Sequence, residues 1–183
     1  MTMLLPIETM IHHLEEMCAE DPAFAKCYEK SIHILDRSID LYGLSGMCFS
    51  FNGGKDSTVV FHLIRLALAY RYFRDEGNNS VKNSVSQSTS NYRDLPTLNS
   101  SHTSSPSPKD QINVDKYINK KMQELNLIYF QITDQFPEIL QFLNSMKEWY
   151  HVKYSYWQGN YVEEIKKLQQ SNDKIKGFIM YKD

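Results

Sequence analysis

Apolar and polar positions alternate in blocks whose period changes along the chain, and those changes predict the elements. Residues 9–20 and 22–41 carry apolar side chains at helical spacing. Asp21 followed by Pro22 reads as an N-cap with proline in the first turn, and Gly43 as a stop. The second of these helices is expected to bury Phe24, Cys27, Ile32, Leu35 and Ile39. Residues 47–51 form a short apolar run between Gly46 and Gly53, the pattern of a buried strand. From 57 to about 74 the period becomes helical again, with Val59, Val60, Leu63, Leu66, Ala67 and Tyr70 on one broad face. Patterning then lapses and resumes as a helix at 114–124 and a strand at 127–132. Phe136, Ile139, Leu140, Leu143 and Met146 mark a further helix, followed by a strand at 152–157, a helix at 161–170 and a strand at 178–181.

Strands separated by helices predict an α/β fold: a doubly wound, mainly parallel sheet with helices on both faces. The lapse, residues 77–110, is rich in Ser, Asn, Thr and Pro and holds too little apolar surface to offset its ordering entropy. It is expected to be a disordered insertion, tolerated because loop-closure entropy grows only logarithmically with length. The expected organisation is a helical preface over 1–45 and an α/β domain over 46–183, interrupted by 77–110.

Composition adds limits. A chain of 183 residues with 42% hydrophobic residues supports one real core, and a formal net charge of -2 gives no electrostatic case for nucleic acid. Cys18, Cys27 and Cys48 are scattered and form no C-x-x-C pair, as in a reduced cytosolic protein. The six histidines do not cluster at ligand spacing; adjacent His12 and His13 are expected on different sides of a surface helix. The first ten residues lack a signal-peptide pattern, and the apolar run at 59–70 is broken by His62 and Arg65. A cytoplasmic location is expected.

Chemistry concentrates at the end of the first strand, in Ser50-Phe51-Asn52-Gly53-Gly54-Lys55-Asp56-Ser57. In a doubly wound sheet, ligands bind beyond the carboxyl ends of the strands, where strand order reverses. Two glycines permit close backbone approach, and the helix that follows offers unpaired N–H groups to an anion. Lys55 adds a cation and Ser57 a hydroxyl donor. This is no Walker A loop, which needs glycine at Phe49 and Ser or Thr at Asp56, and no G-x-G-x-x-G is present. A plain glycine corner with Asp56 as cap accounts for Gly53, Gly54 and Asp56, but leaves Asn52, Lys55 and Ser57 unexplained. His62 reads as a partly buried helix residue and Arg65 as a solvated one. Tyr154, Tyr156 and Trp157 read as a strand with one core side, and Glu163, Glu164, Lys166 and Lys167 as a solvated helix face.

The segment 50–57 resembles the PP-loop of the adenine nucleotide alpha-hydrolase superfamily, written S-G-G-K-D-S. Its Asn52 form is similar to the eukaryotic FAD synthase (FMN adenylyltransferase) family, whose catalytic domain is PAPS reductase-like. Ile128-Tyr129-Phe130, then Phe136-Pro137-Glu138 and Phe142, resemble that family's next strand, its F-P-E turn and the opening of the following helix. Tyr150 and residues 152–154 fit the next helix end and strand, so the resemblance covers about residues 46–180 apart from the insertion. It implies a cytoplasmic nucleotidyltransferase of FAD biosynthesis that transfers the adenylyl group of ATP to FMN and releases pyrophosphate. Mg²⁺ would assist, and the small molecules ATP and FMN would be the partners. It implies that Ser50, Phe51, Asn52, Gly53, Gly54, Lys55, Asp56 and Ser57 bind ATP, all but Phe51 at its phosphates. Lys55 would stabilise developing charge, and Asp56 would cap the helix or help place the metal. The strand ends at Phe51 and near Ile132 would flank adenine and ribose.

The family continues past the last strand with G-x-R-x-x-D-P and a tryptophan-containing region that shapes its flavin site. Here Tyr181-Lys182-Asp183 stand instead, and Lys182 cannot replace a bidentate arginine. A fragment or truncated gene product is therefore expected, with a degenerate homologue as the other course. Within the superfamily, a sulfonucleotide reductase would need a cysteine after Cys48, and a tRNA sulfur-transfer enzyme a basic face. A non-catalytic ATP-binding remnant needs neither.

Overall fold

The computed structural model describes residues 6–82, 108–131, 136–158, 161–171 and 175–180. Among these residues six helices and four strands follow in the order α1 (Ile7–Glu20), α2 (Pro22–Tyr42), β1 (Met47–Ser50), α3 (Lys55–Lys82), α4 (Pro108–Met122), β2 (Asn126–Gln131), α5 (Pro137–Tyr150), β3 (Tyr154–Gln158), α6 (Tyr161–Ser171) and β4 (Gly177–Ile179). A 3₁₀ turn, Leu44–Gly46, leads into β1.

Local chemistry sets the boundaries. Asp21 accepts the N–H groups of Ala23 and Phe24 at 2.9 and 3.1 Å, and Pro22 fills the first position of α2. Gly43 ends that helix at φ 66°, a conformation that a Cβ would penalise. α3 and α4 run further than periodicity suggests: 77–82 are helical, as are 108–110. Extending an existing helix needs no new nucleus, so polar residues can continue one. The remainder of the expected insertion, 83–107, lies outside the described residues, as do Ile132 and Tyr181.

The sheet is parallel throughout, in the order β3-β2-β1-β4. Cys48 lies opposite Asn126 on one side and Phe178 on the other, and Leu127 lies opposite Tyr154. Asn126 fastens the start of this pairing by donating its amide to the carbonyls of Ser45 and Met47, both at 2.9 Å. Alternate residues of each strand face opposite sides. Met47, Phe49, Leu127, Tyr129 and Tyr154 enter the main core with residues of α1 to α5, while Cys48 and Ile128 pack with Ile175 and, across them, Leu168 of α6. The fold is thus a doubly wound α/β sheet, with five helices on one face and one on the other.

α3 is held to α2 by Arg71, which pairs with Asp36 and Asp40, and by Arg74, which pairs with Asp36. The hydroxyls of Tyr28 and Tyr70 meet between the same helices at 3.0 Å. The buried positions of α2 are Tyr28, Ile32, Leu35 and Ile39; Cys27 is exposed, because the buried stripe passes through its neighbour Tyr28. Val59 is also exposed, on the side of α3 away from Phe61 and Ile64. His12 and His13 do not diverge: both approach Glu16, each at 3.4 Å, and both are exposed. Lys167 pairs with Glu164 at 2.7 Å on a solvated face of α6.

Candidate functional site

Strand order reverses at β1: β2 and β3 extend the sheet to one side of it, and β4 adds on the other. The loop leaving β1 therefore opens at the switch point, where doubly wound sheets place their ligands. Phe51 keeps the chain in the sheet for one more residue, donating its N–H to the carbonyl of Ile128 at 2.9 Å. The chain then turns at Gly53, φ 75°, and enters α3 at Lys55.

Within the turn, Asn52 Oδ1 accepts the Gly54 N–H at 2.9 Å and lies 2.7 Å from the Ser57 hydroxyl. The Gly54 carbonyl takes the first helical bond from Thr58 at 3.0 Å and lies 2.9 Å from the Thr58 hydroxyl. Ser57 is 2% exposed, and its hydroxyl has Asn52 and Gly54 as acceptors. Its side chain is therefore committed to the turn and is not the free donor expected. Phe51 is likewise fully buried, its ring against Phe49, Phe61, Phe142 and Tyr154. Only its backbone can face a ligand. Asp56 does not cap the helix, since α3 begins one residue earlier; it sits exposed in the first turn, where a carboxylate favours the helix dipole. Lys55 is exposed, and its ammonium has no hydrogen bond or ion pair with the described residues. Ser50 ends β1 half-buried, on the same face of the sheet as Cys48.

The second half of the corner comes from α5. A Cβ on Gly53 would lie 3.2 Å from Ile139 Cγ2 and 3.5 Å from Phe142. Glycine here is thus required twice, by the positive φ and by the approach of α5. At its other end α5 brings Tyr150 against Phe61 and His62, so α3 and α5 run side by side with both N-termini at the switch point. Two helix dipoles then present their positive ends, and the first-turn N–H groups of Lys55, Asp56 and Ser57 lack helical acceptors. That arrangement suits an anion with several oxygens. Phe136, expected on the buried face of α5, stands instead at its N-cap and is 73% exposed.

Behind the corner lies a charge cluster that the sequence reading misplaced. Arg65, expected in solvent, is 3% exposed, with its guanidinium 3.7 Å from Asp115 on α4 and 4.5 Å above the Tyr150 ring. Its Nη1 is 3.3 Å from His62 Nδ1. Burial, and then the charge of Arg65, lower the His62 pKa to about 4. Burial likewise lowers Arg65, although Tyr150 and Asp115 act the other way. Burial raises Asp115 against Arg65 and a backbone hydrogen bond from Ile7. The half-buried state expected of His62 is what the structure has. Tyr154 is buried, Tyr156 exposed and Trp157 half-buried, as befits an edge strand.

Among the described residues no group of three or more His, Cys, Asp or Glu is placed to hold a metal, and no helix is long and apolar enough to cross a membrane. No family model matches the chain. A stretch of 54 residues is 37% identical to part of a protein of Caenorhabditis briggsae named "Probable FAD synthase". The stretch makes up 30% of this chain and 10% of that protein, so the chain matches about a tenth of that relative's length.

Proposed function

We propose that the corner formed by 50–57 and the start of α5 is a PP-loop-type site for the phosphates of ATP, and that it serves adenylyl transfer to FMN. The observation that carries this reading is a meeting of two distant segments. The loop and the F-P-E turn each resemble FAD synthases on their own, and Gly53 packs on Ile139, the residue directly after that motif. The similarity to a named FAD synthase agrees with it.

In the proposed reaction an oxygen of the FMN phosphate attacks the α-phosphorus of ATP. A new P–O bond forms, the α–β bridging bond breaks, and pyrophosphate leaves with its electron pair. No protein nucleophile is needed; positioning and charge stabilisation carry the catalysis. The N–H groups of Lys55, Asp56 and Ser57 would hold phosphate oxygens, and the Lys55 ammonium would offset charge on the departing pyrophosphate. Asn52 and the Ser57 hydroxyl keep the turn in shape. Mg²⁺, when bound, would neutralise charge on the same oxygens; Asp56 is the loop carboxylate fitted to hold it, and one carboxylate plus phosphates is a usual set for that ion.

Calorimetric titration with ATP and Mg²⁺ tests the site. Lys55→Ala should weaken ATP binding about tenfold, the loss of one charge-assisted contact. Unchanged affinity would remove the loop from the reading. Chromatographic detection of FAD from ATP, FMN and Mg²⁺ then tests the acceptor. A chain that binds ATP yet forms no FAD has an ATP site without this reaction.

A further inference from the structure

We infer that Phe136 is the stacking surface for the planar heteroaromatic ring of the nucleotide bound at this corner, an inference that rests on the phosphate site proposed above. Phe136 is 73% exposed, more than any other large apolar side chain described. Neither ordinary reason for a residue at this place applies to it. Helix N-caps favour Ser, Thr, Asp or Asn, and Phe136 gives α5 no side-chain cap. A phenyl ring normally contributes by burial, and this one stays in water.

Its backbone nevertheless fixes it beside the loop. The Phe136 carbonyl accepts the Ile139 N–H at 3.1 Å, closing the first turn of α5, and Ile139 is the residue against Gly53. Phe136 therefore lies one helical turn before the α5 residue that packs on the glycine turn, at the carboxyl end of the sheet. On α3, Lys55 and the exposed Val59 share a helix face, four residues apart, and add a second apolar surface to the α3 side of the loop. A ligand that joins anionic oxygens to a flat ring fits both halves of this corner. Stacking on an aromatic side chain is the usual way such a ring is held without sequence-like readout. Adenine of ATP and isoalloxazine of FMN share that chemistry.

The test compares three probes on the wild type and on Phe136→Ala: ATP, FMN, and inorganic tripolyphosphate, which has the charge but no ring. Phe136→Ala should melt at the wild-type temperature, since the ring is exposed, and should bind tripolyphosphate as the wild type does. It should bind ATP or FMN about tenfold more weakly, and Phe136→Trp should restore the affinity. Weakening in the ATP titration identifies the ring as adenine, and in the FMN titration as flavin. Wild-type affinity for both ring ligands overturns the inference, and so does an equal loss for tripolyphosphate. If Lys55→Ala weakens ATP while Phe136→Ala does not, the stacking role alone fails. If Lys55→Ala changes nothing, the phosphate site fails and the stacking role with it.

Discussion

Acid should loosen this fold through one ring on α3, and His62→Gln should remove that sensitivity. The ring is half-buried, edge-on to Phe61 and Tyr150, with Nδ1 3.3 Å from the Arg65 guanidinium. Arg65, Tyr150 and, beyond Arg65, Asp115 are the ionisable groups around it. Its pKa falls from 6.5 to about 4 in the folded chain. Between those values the unfolded chain binds a proton here that the folded chain refuses, so stability falls as pH drops through that window and is fully present above it. At 1.36 kcal/mol per pKa unit the whole shift is worth about 3.4 kcal/mol, and part exposure of the ring reduces it to about 2 kcal/mol. Urea unfolding at about pH 7.5 and about pH 5 then suffices: the wild type should lose about 1 kcal/mol more than His62→Gln between the two. Gln can still accept from Arg65, and the lost ring contacts shift both pH values alike. Asp36, drawn below its usual range by Arg74 and Arg71 against the cost of burial, titrates in both proteins and cancels. Equal pH losses in the two proteins would refute the assignment.

Gly53→Ala should lower stability by about 1–2 kcal/mol, since it strains a positive φ and presses on Ile139; thermal melting measures it, and a neutral result would mean the loop and α5 separate freely. Asp115→Asn strands the Arg65 charge in the core and should cost about 3 kcal/mol, part of which Arg65→Met in the same chain should recover. Strictly additive losses in that double-mutant cycle would disprove the coupling. Arg65→Met alone should also raise the His62 pKa toward its ordinary value, seen as a transition at higher pH in the ring's proton resonances.

Elements that announce themselves locally were legible in the sequence. The Asp21-Pro22 cap, the Gly43 stop and the apolar run into Gly53 each state their conformation within a few residues, and each stands where it was read. The parallel sheet followed from the alternation of strand and helix periods. What escaped depends on partners far along the chain. Arg65 reads as a surface cation until Asp115 arrives from α4 and Tyr150 from α5. Ser57 reads as a ligand donor until Asn52 is seen to engage it, and Phe136 as core until α5 is seen to begin just after it. Periodicity marks which residues are apolar; it does not say which lie at a helix end, where the buried stripe has yet to start. The loop's residues were legible, and its closure by α5 was not.

The place of β1 in the sheet bears on how the molecule is made. The strand that carries the glycine turn has no partner near it in the chain: Cys48 pairs with Asn126 and with Phe178, and both strands are synthesised long after it. Such non-local pairing must close large loops before any contact rewards it, which slows folding. During synthesis α1 and α2 can pack early, yet the turn lacks both flanking strands until β2 and then β4 emerge. Until then β1 is an unpaired apolar edge, exposed to aggregation in a partly made chain. The proposed site therefore forms late, and expression at lower temperature should raise the yield of folded protein.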